Sequence, residues 1–173
     1  MNFRECYAAT GFASLEWSDI SERPIDRVAA AGLCKDPLGV LIWKSKYCLE
    51  SVAYREAQKQ LSERLKDKYP LEAGLILDKL AEQCLREYLS DKCKSCHGAK
   101  EMIVGARRIT CEVCSGFGIR RWTDFERARG TGLAIGRVKT LERKFSWTIN
   151  LLLTLDAEVN RQIEFYLGRN DAS

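Results

Sequence analysis

Eight cysteines stand in this chain of 173 residues, and four of them form two pairs of identical internal spacing. Cys93-Lys94-Ser95-Cys96 and Cys111-Glu112-Val113-Cys114 each hold two thiols on one short turn, with fourteen residues between the pairs. A connection of that length lets the pairs converge on one tetrahedral ion, and four thiolates leave no open position for water or substrate. The expected chemistry is therefore a closed, structural zinc site. Gly98, Gly116 and Gly118 follow the pairs and suit turns in which backbone amides approach sulfur. His97, the single histidine, adjoins Cys96 and is the alternative ligand. A redox role for either pair would require a helix N-terminus in a βαβ setting, and neither pair has one. With its one histidine beside the cysteines, the chain cannot build a Cys–His or Ser–His arrangement elsewhere. No pair of carboxylates stands out either, so neither catalytic residues nor a small-molecule substrate is expected. Cys6, Cys34, Cys48 and Cys84 are scattered and read as buried, hydrophobic thiols.

The charge is unevenly distributed. The formal net charge is +4, yet Lys92 to Lys144 holds thirteen basic and five acidic residues, a surplus of eight that leaves the rest of the chain at −4. A segregated positive region is the footprint of a protein that displaces counterions from phosphates. A solvated charged face is the alternative.

The elements that must position these residues read as helices. Tyr54, Ala57, Leu61 and Leu65 recur at helical spacing, as do Leu77, Leu80, Ala81, Cys84 and Tyr88 after the break at Pro70. Periodicity does not decide the apolar run from Pro37 to Trp43, but its neighbours favour a buried helix over a strand. A helix is also expected around Trp17 and Val28–Ala31, with Pro24 in a first turn. The helical pattern stops at Ser90-Asp91 and resumes at Thr123, which with Glu126 makes a capping box. From Trp147 to Leu167 a long helix is expected to place Leu152, Leu155, Val159, Ile163 and Tyr166 on one face, with Leu151, Leu152 and Leu153 packed on the core. The fold class is thus mostly α: a helical region (1–90), an inserted four-cysteine zinc segment (91–122), and a helix-turn-helix-like region with a C-terminal helix (123–173). No apolar run reaches the roughly 20 residues that cross a bilayer. The first residues lack the pattern of a signal peptide. A soluble, cytoplasmic protein is expected.

Behind the cysteines, Asp124 to Leu141 carries the spacing of a helix-turn-helix, with Ala128 where two helices cross, Gly132 at the turn, and Val138 and Leu141 packing back. The second helix would expose Arg137, Lys139, Arg143 and Lys144 to the phosphates and base edges of a major groove. Arg120, Arg121, Arg127 and Arg129 complete the expected DNA-contacting set. Gly130 and Gly136 are costly inside helices. A competing register starts the reading helix near Arg143 and runs it through Trp147; a third possibility is that these helices only pack on the core.

Taken together, Cys93-Lys94-Ser95-Cys96-His97-Gly98, Cys111-Glu112-Val113-Cys114-Ser115-Gly116-Phe117-Gly118 and the helical segments around Trp147 resemble the antitermination protein Q family of lambdoid phages, over roughly residues 50–165. The resemblance implies a zinc-bearing protein of the bacterial cytoplasm that binds double-stranded DNA at a phage late promoter. It further implies engagement of paused bacterial RNA polymerase holoenzyme, which then reads through terminators. Two features depart from the pattern. The loop between the pairs is shorter than in the best-known member, which argues against a DNA contact from that loop. In addition, Ala99-Lys100 follows the first pair in place of a second glycine. The Cys-x-x-Cys-x-Gly-x-Gly form of the second pair also occurs in DnaJ-type co-chaperones, so a zinc module binding unfolded polypeptides is the alternative. Those proteins usually carry four such repeats and a His-Pro-Asp signature; this chain has two repeats and no such signature.

Overall fold

A computed structural model describes residues 24–104, 107–116, 118–120 and 122–168. Among them are seven helices and one two-stranded sheet. Cys6, Trp17 and Arg121 lie outside the described residues.

The first helix, α1 (Pro24–Gly32), opens on the proline, which the first helical turn tolerates because its amide would have no partner there. Helix α2 (Pro37–Tyr47) resolves the ambiguous apolar run. Asp36 caps it by accepting the Gly39 amide at 3.1 Å, and Leu38, Gly39, Ile42 and Trp43 are buried along it. Gly39 lies where α2 meets the C-terminal helix, and a Cβ there would fall 2.9 Å from Val159 Cγ2. Helices α3 (Ser51–Lys68) and α4 (Gly74–Leu89) follow, broken at Pro70 as the sequence demands.

After the cysteine segment come α5 (Asp124–Thr131), α6 (Ile135–Thr140) and α7 (Glu142–Tyr166). The expected capping box is present, with the Glu126 amide donating to Thr123 Oγ1 at 3.2 Å and the Thr123 amide donating to the Glu126 carboxylate at 3.0 Å. Gly132 ends α5 at φ 67°, a left-handed conformation that costs glycine little.

Leu38 and Ile42, Leu61 and Leu65, Leu77, Leu80 and Leu85, and Phe145 and Leu152 join α2, α3, α4 and α7 in one core, and Ala128, Val138 and Leu141 tie α5 and α6 to it. Helices on both sides of the cysteine segment therefore share a single apolar interior. A smaller cluster of Ala30, Ala31, Trp43, Cys48, Val159 and Ile163 secures α1 against α2 and α7.

Three details differ from expectation. The long helix starts at Glu142 and not at Trp147, because Leu141 and Phe145 are fully buried and draw its first turn onto the core. Leu152 is buried, but Leu153 is 51% exposed; successive helical residues lie about 100° apart, so three in a row cannot share a face. Tyr166 is also exposed, its hydroxyl donating to the Leu33 carbonyl at 3.3 Å. No helix among the described residues is long and apolar enough to cross a membrane.

Candidate metal centre and basic surface

The two cysteine pairs fold into matching turns. Cys93 donates its amide to the Gly118 carbonyl at 2.8 Å and Cys111 donates its amide to the Lys100 carbonyl at 2.9 Å, so each pair is anchored to the chain that follows the other's turn. After Cys96, residues His97, Gly98 and Lys100 have φ values of 50°, 94° and 67°; after Cys114, Ser115, Gly116 and Gly118 have 55°, 79° and 75°. The two turns thus repeat the same left-handed positions, and Lys100 occupies the place taken by glycine in the second. Gly118 cannot easily be replaced, since a Cβ there would meet the Gly98 carbonyl oxygen at 2.8 Å. Its amide donates to Cys114 Sγ at 3.2 Å.

Between the turns runs a ribbon of β1 (Glu101–Val104) and β2 (Arg107–Thr110), antiparallel, with Met102 opposite Ile109 and Ile103 opposite Arg108. These strands were not anticipated. They are four residues each and mostly exposed, so no alternation of apolar and polar residues announces them. Met102 packs against the cysteines, the one partly buried apolar side chain to do so among the described residues.

All four sulfurs are buried and lie within 4.8 Å of one another. Cys93 and Cys111 are 3.9 Å apart at sulfur, and Cys96 and Cys114 3.7 Å. Zinc–sulfur bonds of about 2.3 Å in a tetrahedron place sulfurs about 3.8 Å apart, while a disulfide brings them to about 2.05 Å. The geometry is thus that of a four-thiolate metal site and not of a pair of disulfides. His97, exposed and outside this group, is not needed as a ligand. Hydrogen bonds from the Cys96 and Ser95 amides bring the Cys93 thiol down to about 7, as suits a metal ligand. At Cys111 the Cys114 amide acts in the same direction, but burial and the neighbouring thiols push the group up to about 11.

The expected DNA-contacting residues divide into two groups. Four are engaged within the fold. Arg127, 14% exposed, is bound by both oxygens of the buried Glu87 at 2.9 and 3.0 Å and by Glu142 at 2.8 Å, with its guanidinium over the Phe145 ring. It is a strut between α4, α5 and α7. Arg120 pairs with Glu126 at 2.6 Å and stacks 3.4 Å over the Trp122 ring. Arg137 and Lys144 converge on Glu72 in the α3–α4 connection, Lys144 at 3.3 Å and also above the Tyr69 ring. Arg129, Lys139 and Arg143 are exposed, with no ion-pair partner among the described residues, and the eighth, Arg121, lies outside those residues. Sequence reasoning missed Glu72 and Glu87, because acids from distant segments carry no local signal. It also left Arg107 and Arg108 outside the contact set, although two adjacent arginines between cysteine pairs were visible.

Gly130 has a packing reason for its place in a helix. A Cβ there would lie 2.0 Å from Gln83 Oε1, so α5 presses on α4 at this residue. Gly136 faces open space, and nothing in the structure explains it.

No protein-family model matches the chain, and no curated protein matches it closely enough to count as a relative.

Proposed function

We propose that the protein is a zinc-stabilised, non-enzymatic DNA-binding factor of the antitermination protein Q kind, which loads at a phage late promoter and acts through paused RNA polymerase in the bacterial cytoplasm. The observation that supports this most is the placement of α5 and α6: a turn at Gly132 joins them, Ala128 and Val138 bury their inner sides, and Arg129 and Lys139 remain outside with no acidic partner among the described residues. In this helix-turn-helix-like reading, α6 and the first turn of α7 present Lys139 and Arg143 to a major groove. Arg137 and Lys144 join them once phosphate competes with Glu72. The basic segment supplies sequence-independent affinity, and the helices supply register.

Mobility shifts with duplex from the cognate late promoter test the reading. Specific binding should exceed that to scrambled duplex by at least about a thousandfold, the low end for specific DNA readers. Equal affinity for both duplexes would remove the promoter-specific claim.

A second reading, a DnaJ-like zinc module for unfolded chains, draws on the exposed Ile103, Val113 and Ile119 around the cysteines. It requires that the zinc-loaded protein suppress aggregation of an unfolded client at stoichiometric concentration, whereas the DNA-binding reading requires no such effect.

A further inference from the structure

The ribbon of β1 and β2 adds nothing to the helical core. Only Met102 turns towards the sulfurs, and strand alternation puts Ile103 and its cross-strand neighbour Arg108 on the face turned away from them. Ile103 is 76% exposed on that outer face; Val104, 58% exposed, and its partner Arg107 share the Met102 face but stand at the far end of the ribbon, away from the sulfurs. Arg107 and Arg108 are exposed too, and no ion pair involves either among the described residues. The one acid on the outer face, Glu101, is diagonal to Arg108 and is not paired with it. Around the ribbon, Lys92, Lys94 and Lys100 are likewise exposed and unpaired among the described residues, while Glu101 and Glu112 are the acids from 92 to 120. The ribbon thus carries unpaired arginines and exposed apolar side chains together on a short element that supports no core, a surface a partner can cover.

Charge selects a polyanion as that partner, and shape selects its form. Two strands about 4.8 Å apart, with their side chains, match the roughly 12 Å major groove of B-form DNA, which admits a β-ribbon. The deep, narrow major groove of A-form RNA does not admit one. Arginine bonds guanine edges or phosphates in such a groove, and isoleucine or valine meets thymine methyl groups. The metal centre at its base holds the ribbon in position, so little ordering entropy is lost on insertion.

We propose that the β1–β2 ribbon is a second duplex-DNA contact, with Arg108 on its outer face turned to the major groove and Arg107, on the opposite face at the ribbon's end, reaching a flanking phosphate. This rests on the DNA-binding reading above, and it assigns to the metal the task of presenting a DNA-contacting element.

The test is a salt titration of duplex binding by the full, zinc-loaded chain and by its Arg107→Ala/Arg108→Ala double variant, with zinc content and melting measured alongside. Each arginine that releases a counterion contributes about 0.9 to the slope of log affinity against log salt, so the double variant should lose about 1.8 from that slope while keeping zinc and its melting temperature. An unchanged slope and affinity in a zinc-loaded double variant would overturn the ribbon contact alone, leaving α5 and α6 as the reader; a ribbon that serves an acidic protein surface gives this same result. Failure of the wild-type chain to bind any duplex overturns both proposals. If the double variant loses zinc, the single variants Arg107→Gln and Arg108→Gln are read in the same way, each expected to lose about 0.9.

Discussion

Lys100 takes a left-handed backbone conformation at the place where the second turn has Gly118. For a residue with a Cβ that conformation costs roughly 1–2 kcal/mol, of which the extra unfolded-state freedom of glycine would return about 0.5–1 kcal/mol. Lys100→Gly should therefore raise the stability of the zinc-loaded protein by up to about 1 kcal/mol, read from urea unfolding. A loss of stability would mean that the lysine side chain has a role beyond the turn. Cys111→Ser removes one of four ligands, and zinc should be lost or bound far more weakly, as metal analysis after dialysis would reveal. Arg127 offers a different kind of test. Arg127→Ala leaves Glu87 buried without its cation and should cost about 3–5 kcal/mol, whereas a double replacement of Arg127 and Glu87 by apolar residues of similar volume should cost much less. A small effect of Arg127→Ala on stability, with a large one on DNA affinity, would return this arginine to the DNA-contacting set.

At the level of elements, Gly130 separates helix propensity from packing. Propensity alone makes Gly130→Ala stabilising by about 1 kcal/mol, but a methyl group 2.0 Å from Gln83 Oε1 must displace α5 or that side chain. The expected outcome is a net loss of about 1–3 kcal/mol in urea unfolding, the usual range for overpacking. The cap of α2 carries a pH dependence. Burial raises the Asp36 carboxyl, but Arg64 and the Gly39 amide outweigh it and hold the group below its ordinary value. A depressed carboxylate stabilises the fold above its unfolded value near about 3.9, and that stability is lost as pH falls through the lower folded value. Between pH 5 and the acid limit, Asp36→Asn should thus lose less stability than wild type, since asparagine still caps but does not titrate. Zinc release in acid is common to both proteins and cancels in the difference. The helices were legible because each must bury one stripe, and the resulting periodicity survives in Leu61 and Leu65 or Leu77 and Leu80. The four-cysteine cluster was legible because a chelating pair needs a fixed spacing between its two thiols. The ribbon was not, since its residues face water and no rule of alternation constrains them. Nor were Glu87 and Glu72, which pair with Arg127 and with Arg137 and Lys144 across 40 to 72 residues of chain.

Across the whole molecule, the sulfur cluster and the helical core are separate apolar units. They meet at Asp91, whose carbonyl accepts the Arg120 amide at 2.6 Å and whose carboxylate lies 3.8 Å from Lys46, itself bonded to Tyr88 and Asp156. Removal of the metal by a chelator should dissolve the ribbon while most helical circular dichroism persists; loss of the helices at the same chelator concentration would show that the core depends on the metal. The four-sulfur centre has a further consequence, for the protein's overall charge. One divalent ion among four thiolates leaves two formal negative charges, so loading takes the chain from its thiol-state net charge of +4 down to +2. A metal-free chain is thus the more cationic species by two charges, and on charge alone should bind any polyanion more firmly. Zinc supply would then set the protein's charge as well as the order of its cysteine segment.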